Sequence, residues 1–480
     1  MSISRRAVIA SALAAAAIGS GRASAAADDE TPPTILQLQK RSIEVNGKSA
    51  SVYAIRQPDG TAGLTTAVNR RFRVRVENQL DVPSLIHWHG MTPPWQQDGV
   101  PGVSGPPIPA GGSADYDFPL RFGGTFWMHS HEGLQEQLLL AAPLIIHDDR
   151  DEPRQQEVVM KLHDFSFTPP EEIYASLRTP KKMVGMASDH AAAMGGGMGG
   201  MAMPAKSGAA APDLNDVTYD AFLANDRTLA DPDIVKVEPG GRVLLRVING
   251  SAMSNFHLDL GALGGELIAV DGFRVKPVTA RRFPVAVAQR LDIRLAIPRG
   301  AAAHPVLAIL EGTARQTGIV LVAGAGAVTR MPDTAARPSP ALSLDLERSL
   351  RAVTPLAPRK VDRVHNVGLT GDMATYVWSI NNVAWTKNVP PLPVAEGERV
   401  ELVMTNKTGM PHPMHLHGHE FQVVEIDGKR FPGAVRDTVL VRPNGRVVVA
   451  FDANNPGWWA FHCHLLYHQA GGMFTTIRYV

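Results

Sequence analysis

Three stretches of this chain carry one signature, and they restrict its fold more than any other feature. Arg71–Asn78 reads RFRVRVEN, Arg242–Asn249 reads RVLLRVIN and Arg399–Asn406 reads RVELVMTN. A histidine follows the closing asparagine by 9, 8 and 9 positions, at His87, His257 and His415. Apolar residues alternating with polar ones mark strands with one face buried. The three strands start 171 and 157 residues apart, so the repeat has the size of a domain rather than of a solenoid unit. Further short β candidates, among them VYAIRQ, ADYDFPL, HPVLAIL and RVVVAFD, are separated by turns rich in the chain's 37 Pro and 44 Gly. The expectation is an all-β fold of three Greek-key β-sandwiches. Polar or Pro-rich stretches place them at residues 28–152, 153–330 and 331–480.

A net charge of +1 gives no electrostatic case for nucleic acid. Residues 1–27 read as a twin-arginine signal peptide: Arg5 and Arg6, an apolar run Ala7–Ile18, then Ala23-Ser24-Ala25 as a cleavage pattern. The run is too short to span a bilayer, which takes about 20 residues. The expected route is the Tat export machinery, and the expected destination is the periplasm, with no membrane attachment of the mature form. Cys463 is the single cysteine, so no internal disulfide can form. A lone thiol in an oxidising compartment needs protection, and a metal bond would supply it.

Five His-x-His pairs occur among 17 histidines, where a random scatter would give fewer than one: 87/89, 129/131, 415/417, 417/419 and 462/464. In a strand, residues i and i+2 share a face, so each pair presents two imidazoles to one pocket, as a polynuclear metal site requires. The densest stretch is His462-Cys463-His464-Leu465-Leu466-Tyr467-His468-Gln469-Ala470-Gly471-Gly472-Met473. With His412, the residues Cys463, His468 and Met473 make two imidazoles, one thiolate and one thioether, the ligand set of a blue-copper site. In a strand, the Cys463 sulfur faces opposite to His462 and His464, so one tripeptide can join a mononuclear copper to a cluster.

His87-Trp-His89-Gly, His129-Ser-His131, His412-Pro-Met-His415-Leu-His417 and His462-Cys463-His464-xxx-His468-xxxx-Met473 resemble the four copper motifs of multicopper oxidases, in order. NPGWWAFHCHLLYH and HSHEGLQEQ are most similar to the copper-resistance branch of that family. The resemblance implies three cupredoxin-like domains and four copper ions, one of type 1, one of type 2 and two of type 3. It implies His412, Cys463, His468 and Met473 at type 1, and His87 and His415 at type 2. One type 3 ion would take His89, His129 and His464, and the other His131, His417 and His462. The implied reaction is one-electron oxidation of a substrate coupled to reduction of dioxygen to water.

The repeat provides a separate test. With His87 aligned to His415 and His129 to His462, the first repeat has Ser84, Ser130, Gln135 and Leu140 where the third has His412, Cys463, His468 and Met473. The second repeat lacks the second histidine at Asn255-Phe-His257-Leu-Asp259, so His257 reads as structural. One mononuclear site and one shared cluster are therefore expected. Dioxygen reduction consumes protons, and Asp98 matches a family aspartate that relays them. No Glu stands between His468 and Met473, where many relatives carry one, and Glu136 is the candidate substitute. Residues 183–203 hold 6 of the chain's 17 Met. Soft thioethers select Cu(I), which favours a cuprous oxidase in copper tolerance. The alternatives are a laccase-like oxidase of small phenols and a copper-storage protein, although storage needs no eight converging imidazoles.

Overall fold

Residues 32–148, 155–179 and 214–480 are described by the computed structural model. The leader, the Met-rich segment 183–203 and the expected boundary near 152 lie outside them. Thr34–Val480 forms one compact unit, built as three cupredoxin-like sandwiches. Each has two facing sheets, and each repeats one pairing. The signature strand Arg71–Asn78 runs parallel to Thr34–Val45 and antiparallel to Ser113–Pro119. Arg242–Asn249 lies likewise between Gln156–Phe165 and Arg290–Ala296, and Arg399–Asn406 between Arg363–Asp372 and Arg446–Asp452.

The asparagine that ends each signature strand performs the same task three times. The Asn78 amide donates to Val82 O and Ile108 O, and its Oδ1 accepts Leu80 N. Asn249 makes the same bonds with Ser254 O, Val285 O and Ser251 N. Asn406 makes them with Met410 O, Val441 O and Thr408 N. Each buried amide thus replaces the ladder bonds that the chain loses as it crosses to the other sheet. In the first and third repeats the strand so reached carries the paired histidines.

The half-buried pattern holds in the first copy, where Phe72, Val74 and Val76 are buried and their neighbours are more exposed. It fails in the second and largely in the third. Arg242–Asn249 is buried on both faces because a neighbouring sandwich covers the outer one: Arg246 Nη1 donates to Thr125 Oγ1. The second and third sandwiches share one apolar core, whereas the first keeps its own around Phe72, Trp88, Phe118 and Phe126. The short helix Leu466–Ala470 is fastened to the second sandwich, with Leu466 N bonded to Ala252 O and Tyr467 N to Met253 Sδ. That loop is in turn held by Asp164, whose carboxylate accepts Ala252 N, Met253 N and Ser254 Oγ.

Candidate metal centres

Strand His412–Leu416 lies beside Trp458–Cys463, with Met414 opposite Cys463 and His415 opposite His462. This register sends the two sides of His462-Cys463-His464 into different pockets. On one side, Cys463 Sγ lies 3.6 Å from His412 Nδ1 and 3.9 Å from His468 Nδ1, and the two nitrogens are 3.1 Å apart. All three side chains are buried, as is Met473. Met473 is tied to both neighbours by backbone: Cys463 N donates to Met473 O, and Met473 N to His468 O. Burial pushes the Cys463 thiol well above its ordinary range and the His412 imidazole well below its own. A metal cation offsets both effects, because it stabilises thiolate and binds neutral imidazole.

The outward nitrogens of these imidazoles are occupied. His412 Nε2 lies 2.7 Å from Thr408 Oγ1, and His468 Nε2 lies 2.9 Å from Asp216 Oδ2. Asp216 also accepts the Tyr376 hydroxyl at 2.6 Å. The Trp378 ring covers His468 at 4.0 Å and faces His412 at 5.3 Å.

On the other side, eight imidazoles converge between the first and third sandwiches. Strands Ile86–His89 and Gly124–Ser130 bring His87 opposite His129. Nε2–Nε2 separations are 3.4 Å for His87–His415, His129–His464 and His131–His462, and 2.9 Å for His417–His462. Most Nδ1 atoms face outward to an acceptor: His87 to Asp98 O, His415 to Asp437 O, His462 to Cys463 O and His417 to Asp98 Oδ2. Such partners select the tautomer that leaves Nε2 free to bind metal. His89 is reversed. Its Nε2 lies 3.1 Å from Asp437 Oδ1, and its Nδ1 is buried with no hydrogen-bond partner. A buried nitrogen lone pair without a partner costs about 1–3 kcal/mol, and a metal ion is the partner it lacks. Burial and mutual proximity hold His89, His129, His131, His417, His462 and His464 well below the ordinary imidazole range. These six imidazoles are therefore neutral donors, which fits copper.

Asp98 is buried, and it joins His417 to the backbone contact of His87. Glu136 is buried behind the cluster, with Oε2 3.0 Å from His129 Nδ1 and Oε1 3.9 Å from His464 Nδ1. Burial pushes its carboxyl well above the usual range. Gln469, between His468 and Met473, places its amide 3.4 Å from His131 Nδ1. A metal on Nε2 requires Nδ1 to carry the proton, so the amide meets it with its oxygen. A cavity of about 190 Å³ reaches His131, lined also by Glu132, Gln469, Trp385 and Phe474. His257 donates to or accepts from no ring of either group; its Nε2 bonds Pro340 O. His419 bonds Tyr479 Oη and His417 O.

Sequence reasoning missed Asp437, Asp216, Thr408 and Tyr376. Arg290 Nη1 donates to Asp437 Oδ1 at 2.8 Å, and its Nε donates to Thr125 O. Burial opposes ionisation of Asp437, but Arg290 overrides it and holds the carboxyl far below its usual range. Asp437, Asp216 and Tyr376 lie outside the histidine motifs, and Thr408, though only four residues before His412, carries no metal-ligating side chain that would mark it.

Three family profiles described as multicopper oxidase match residues 37–151, 159–313 and 358–480. The chain is 30% identical to multicopper oxidase MmcO of Mycobacterium tuberculosis over 97% of this chain and 90% of that one. It is 27% identical to copper resistance protein A of Escherichia coli, over 84% and 85% of the two chains. It is 25% identical to laccase-1 of Cryptococcus neoformans, over 88% and 78%. A multi-copper oxidase structure from Pseudomonas thermotolerans superposes with a TM-score of 0.70 at 21% identity, covering 93% and 98%. The Fet3p structure, a multicopper oxidase of iron import, does so with 0.76 at 19% identity, covering 93% and 90%.

Proposed function

The chain belongs to the multicopper oxidase family, and from that premise we propose that it is a periplasmic cuprous oxidase holding four copper ions. In this reading His412, Cys463, His468 and Met473 hold type 1 copper, and His87 and His415 hold type 2. His89, His129 and His464 hold one type 3 ion, and His131, His417 and His462 the other. Bound copper supplies one-electron oxidation of the donor and reduction of dioxygen to water. The carrying observation is the His462-Cys463-His464 tripeptide, whose thiol enters the three-ligand pocket while its imidazoles enter the eight-imidazole cluster. Two bonded neighbours thus connect electron entry to oxygen chemistry, with no mobile carrier between them.

The residues around the copper ligands exclude water and fix geometry. Asp216 and Thr408 lock the outward edges of His468 and His412, so both Nδ1 atoms stay aimed at the thiol. Asp98, buried and bonded to His417, can carry protons toward the oxygen site. Glu136 lies against His129 and His464 and is the second such group. The cavity beside His131 is the route for oxygen and water.

Cu(I) is the favoured donor for two reasons. The chain resembles copper resistance protein A over most of its length, and its type 1 imidazoles are buried rather than exposed to an organic substrate. The Met-rich segment 183–203 would gather Cu(I), and export would follow the twin-arginine leader. Steady-state oxygen uptake with Cu(I) and with a phenol decides the donor. Higher kcat/KM for Cu(I), lowered through KM when residues 183–203 are deleted, supports the proposal. Faster turnover of phenol with no effect of the deletion replaces it with a laccase.

A further inference from the structure

Tyr376 stands at the edge of the electron-entry site and has no place in the ligand set. Its ring is buried, 6.0 Å from the His468 ring and 5.8 Å from Trp378. Its hydroxyl donates to Asp216 Oδ2 at 2.6 Å, and the same oxygen meets His468 Nε2 at 2.9 Å. A phenol, a carboxylate and a type 1 imidazole are thereby joined in one hydrogen-bonded row. This row gives an incoming phenolic donor what it would need: an acceptor for its hydroxyl and edge contact with the imidazole. The position is already taken by the protein's own phenol.

Tyr376 closes the hairpin turn 373–376, where Asp372 pairs with Val377. Tyr376 has φ +53°, in the left-handed region that bulky side chains rarely adopt. The turn fixes this conformation and delivers the ring to the row beside Asp216. Thr375 and Val377 on either side of the buried ring are exposed. Tyr174, half-buried on the helix Pro170–Arg178, packs 6.4 Å from it. Removing the Tyr376 side chain would therefore open Asp216 and the edge of His468 toward the surface.

Resting on the assignment of His468 to type 1 copper, we infer that Tyr376 is a specificity-determining plug: it occupies the phenol position at Asp216 and excludes phenolic donors. Tyr376→Gly is the direct test, because glycine accepts the positive φ. Binding of 4-fluorophenol to the fully reduced, oxygen-free holoenzyme is read by 19F NMR. Tyr376→Gly should bind it at least tenfold more tightly than the parent, and the Tyr376→Gly/Asp216→Asn double variant should lose that gain. Phenol oxidation by Tyr376→Gly should rise at least tenfold in kcat/KM, mainly through KM. Tyr376→Phe keeps the ring in place and should show no such gain in binding. Losing its hydroxyl leaves Asp216 a stronger acceptor for His468, so the type 1 potential of Tyr376→Phe should fall in a redox titration.

Equal fluorophenol binding by the parent and Tyr376→Gly, with the blue absorption intact in both, overturns the inference. So does a gain that survives Asp216→Asn. If Tyr376→Gly does not fold, Tyr376→Asn, which also tolerates the left-handed region, takes its place under the same criteria. A copper-loaded parent without blue absorption is a different failure, because it removes the type 1 assignment itself.

Discussion

Cys463 concentrates the chemistry of the molecule in one atom. Its sulfur is the sole thiolate donor, and its neighbours on both sides enter the cluster. Cys463→Ser should abolish the blue absorption and turnover, since both need a soft thiolate. On the proposed assignment its copper content should fall from four ions to three, because the cluster imidazoles are untouched. Elemental analysis with visible and EPR spectra checks this, and four ions with a retained blue band would refute it. Asp98, the proposed proton relay, presents the opposite case. Asp98→Asn keeps the shape against His417 but cannot relay a proton at neutral pH. Anaerobic reduction of type 1 copper should be within about twofold of the parent. Reoxidation by dioxygen should slow about 10²-fold or more, within the usual range for loss of a general acid. Stopped-flow traces of the blue band separate the two steps.

Among the elements, the repeated strand with its terminal asparagine is the most informative, because the three copies differ in what lies beyond. Asn406 holds the turn Thr408–Met410 that delivers His412, whereas Asn249 holds a turn that leads to no metal ligand. Either change to alanine leaves several buried backbone groups unpaired, at about 1–3 kcal/mol each. Both Asn249→Ala and Asn406→Ala should lower stability by about 2–4 kcal/mol in urea unfolding. Only Asn406→Ala should also weaken or broaden the blue band. Equal spectra in the two variants would show that the turn does not position His412. This asparagine and the paired histidines were legible in the sequence because strand periodicity puts partners two residues apart. Burial of Arg242–Asn249 on both faces was not, since nothing inside RVLLRVIN says that Thr125 of another sandwich will meet Arg246. Asp216, 252 residues from His468, was hidden for the same reason.

Across the whole molecule, the first sandwich keeps its own main apolar core and is joined to the others by smaller apolar clusters, such as Val45, Val52 and Leu139 with Phe165 and Leu223, and by charged contacts. Arg290 of the second sandwich bonds Thr125 O of the first and Asp437 of the third. Asp271 and Glu347 extend the network through Arg436. Arg290→Met would strand Asp437 beside His89, at a cost of about 3–5 kcal/mol for an uncompensated buried charge. Calorimetry should show a lower and broader transition, together with loss of type 2 and type 3 copper. A single sharp transition at the parent temperature would refute this. Asp226 provides a pH test of the same attachment. It pairs with Arg41 of the first sandwich at 2.8 Å. Burial works against its ionisation, but Lys161 and Arg41 prevail and bring its pKa down to about 2. A depressed carboxylate stabilises the fold above its unfolded pKa near 4, and this contribution is lost as pH falls through 2. Asp226→Asn should therefore cost about 2 kcal/mol at neutral pH, and the deficit should close between pH 4 and 2. A deficit that stays constant over that range would show that the charge is irrelevant.

In the first sandwich, the positions equivalent to the proposed type 1 ligands are not left empty. Ser84 Oγ and Ser130 Oγ both donate to Gln135 Oε1, at 2.7 and 2.8 Å, and Leu140 fills the remaining space. Ser130 N bonds Leu140 O just as Cys463 N bonds Met473 O. The scaffold thus treats a metal ion and a knot of neutral side chains as interchangeable fillings of one slot. A duplicated unit can retire its redox centre by four substitutions and keep its architecture. The number of doors through which electrons enter is then free to change over descent, while the oxygen-reducing seam between the outer units stays as it is.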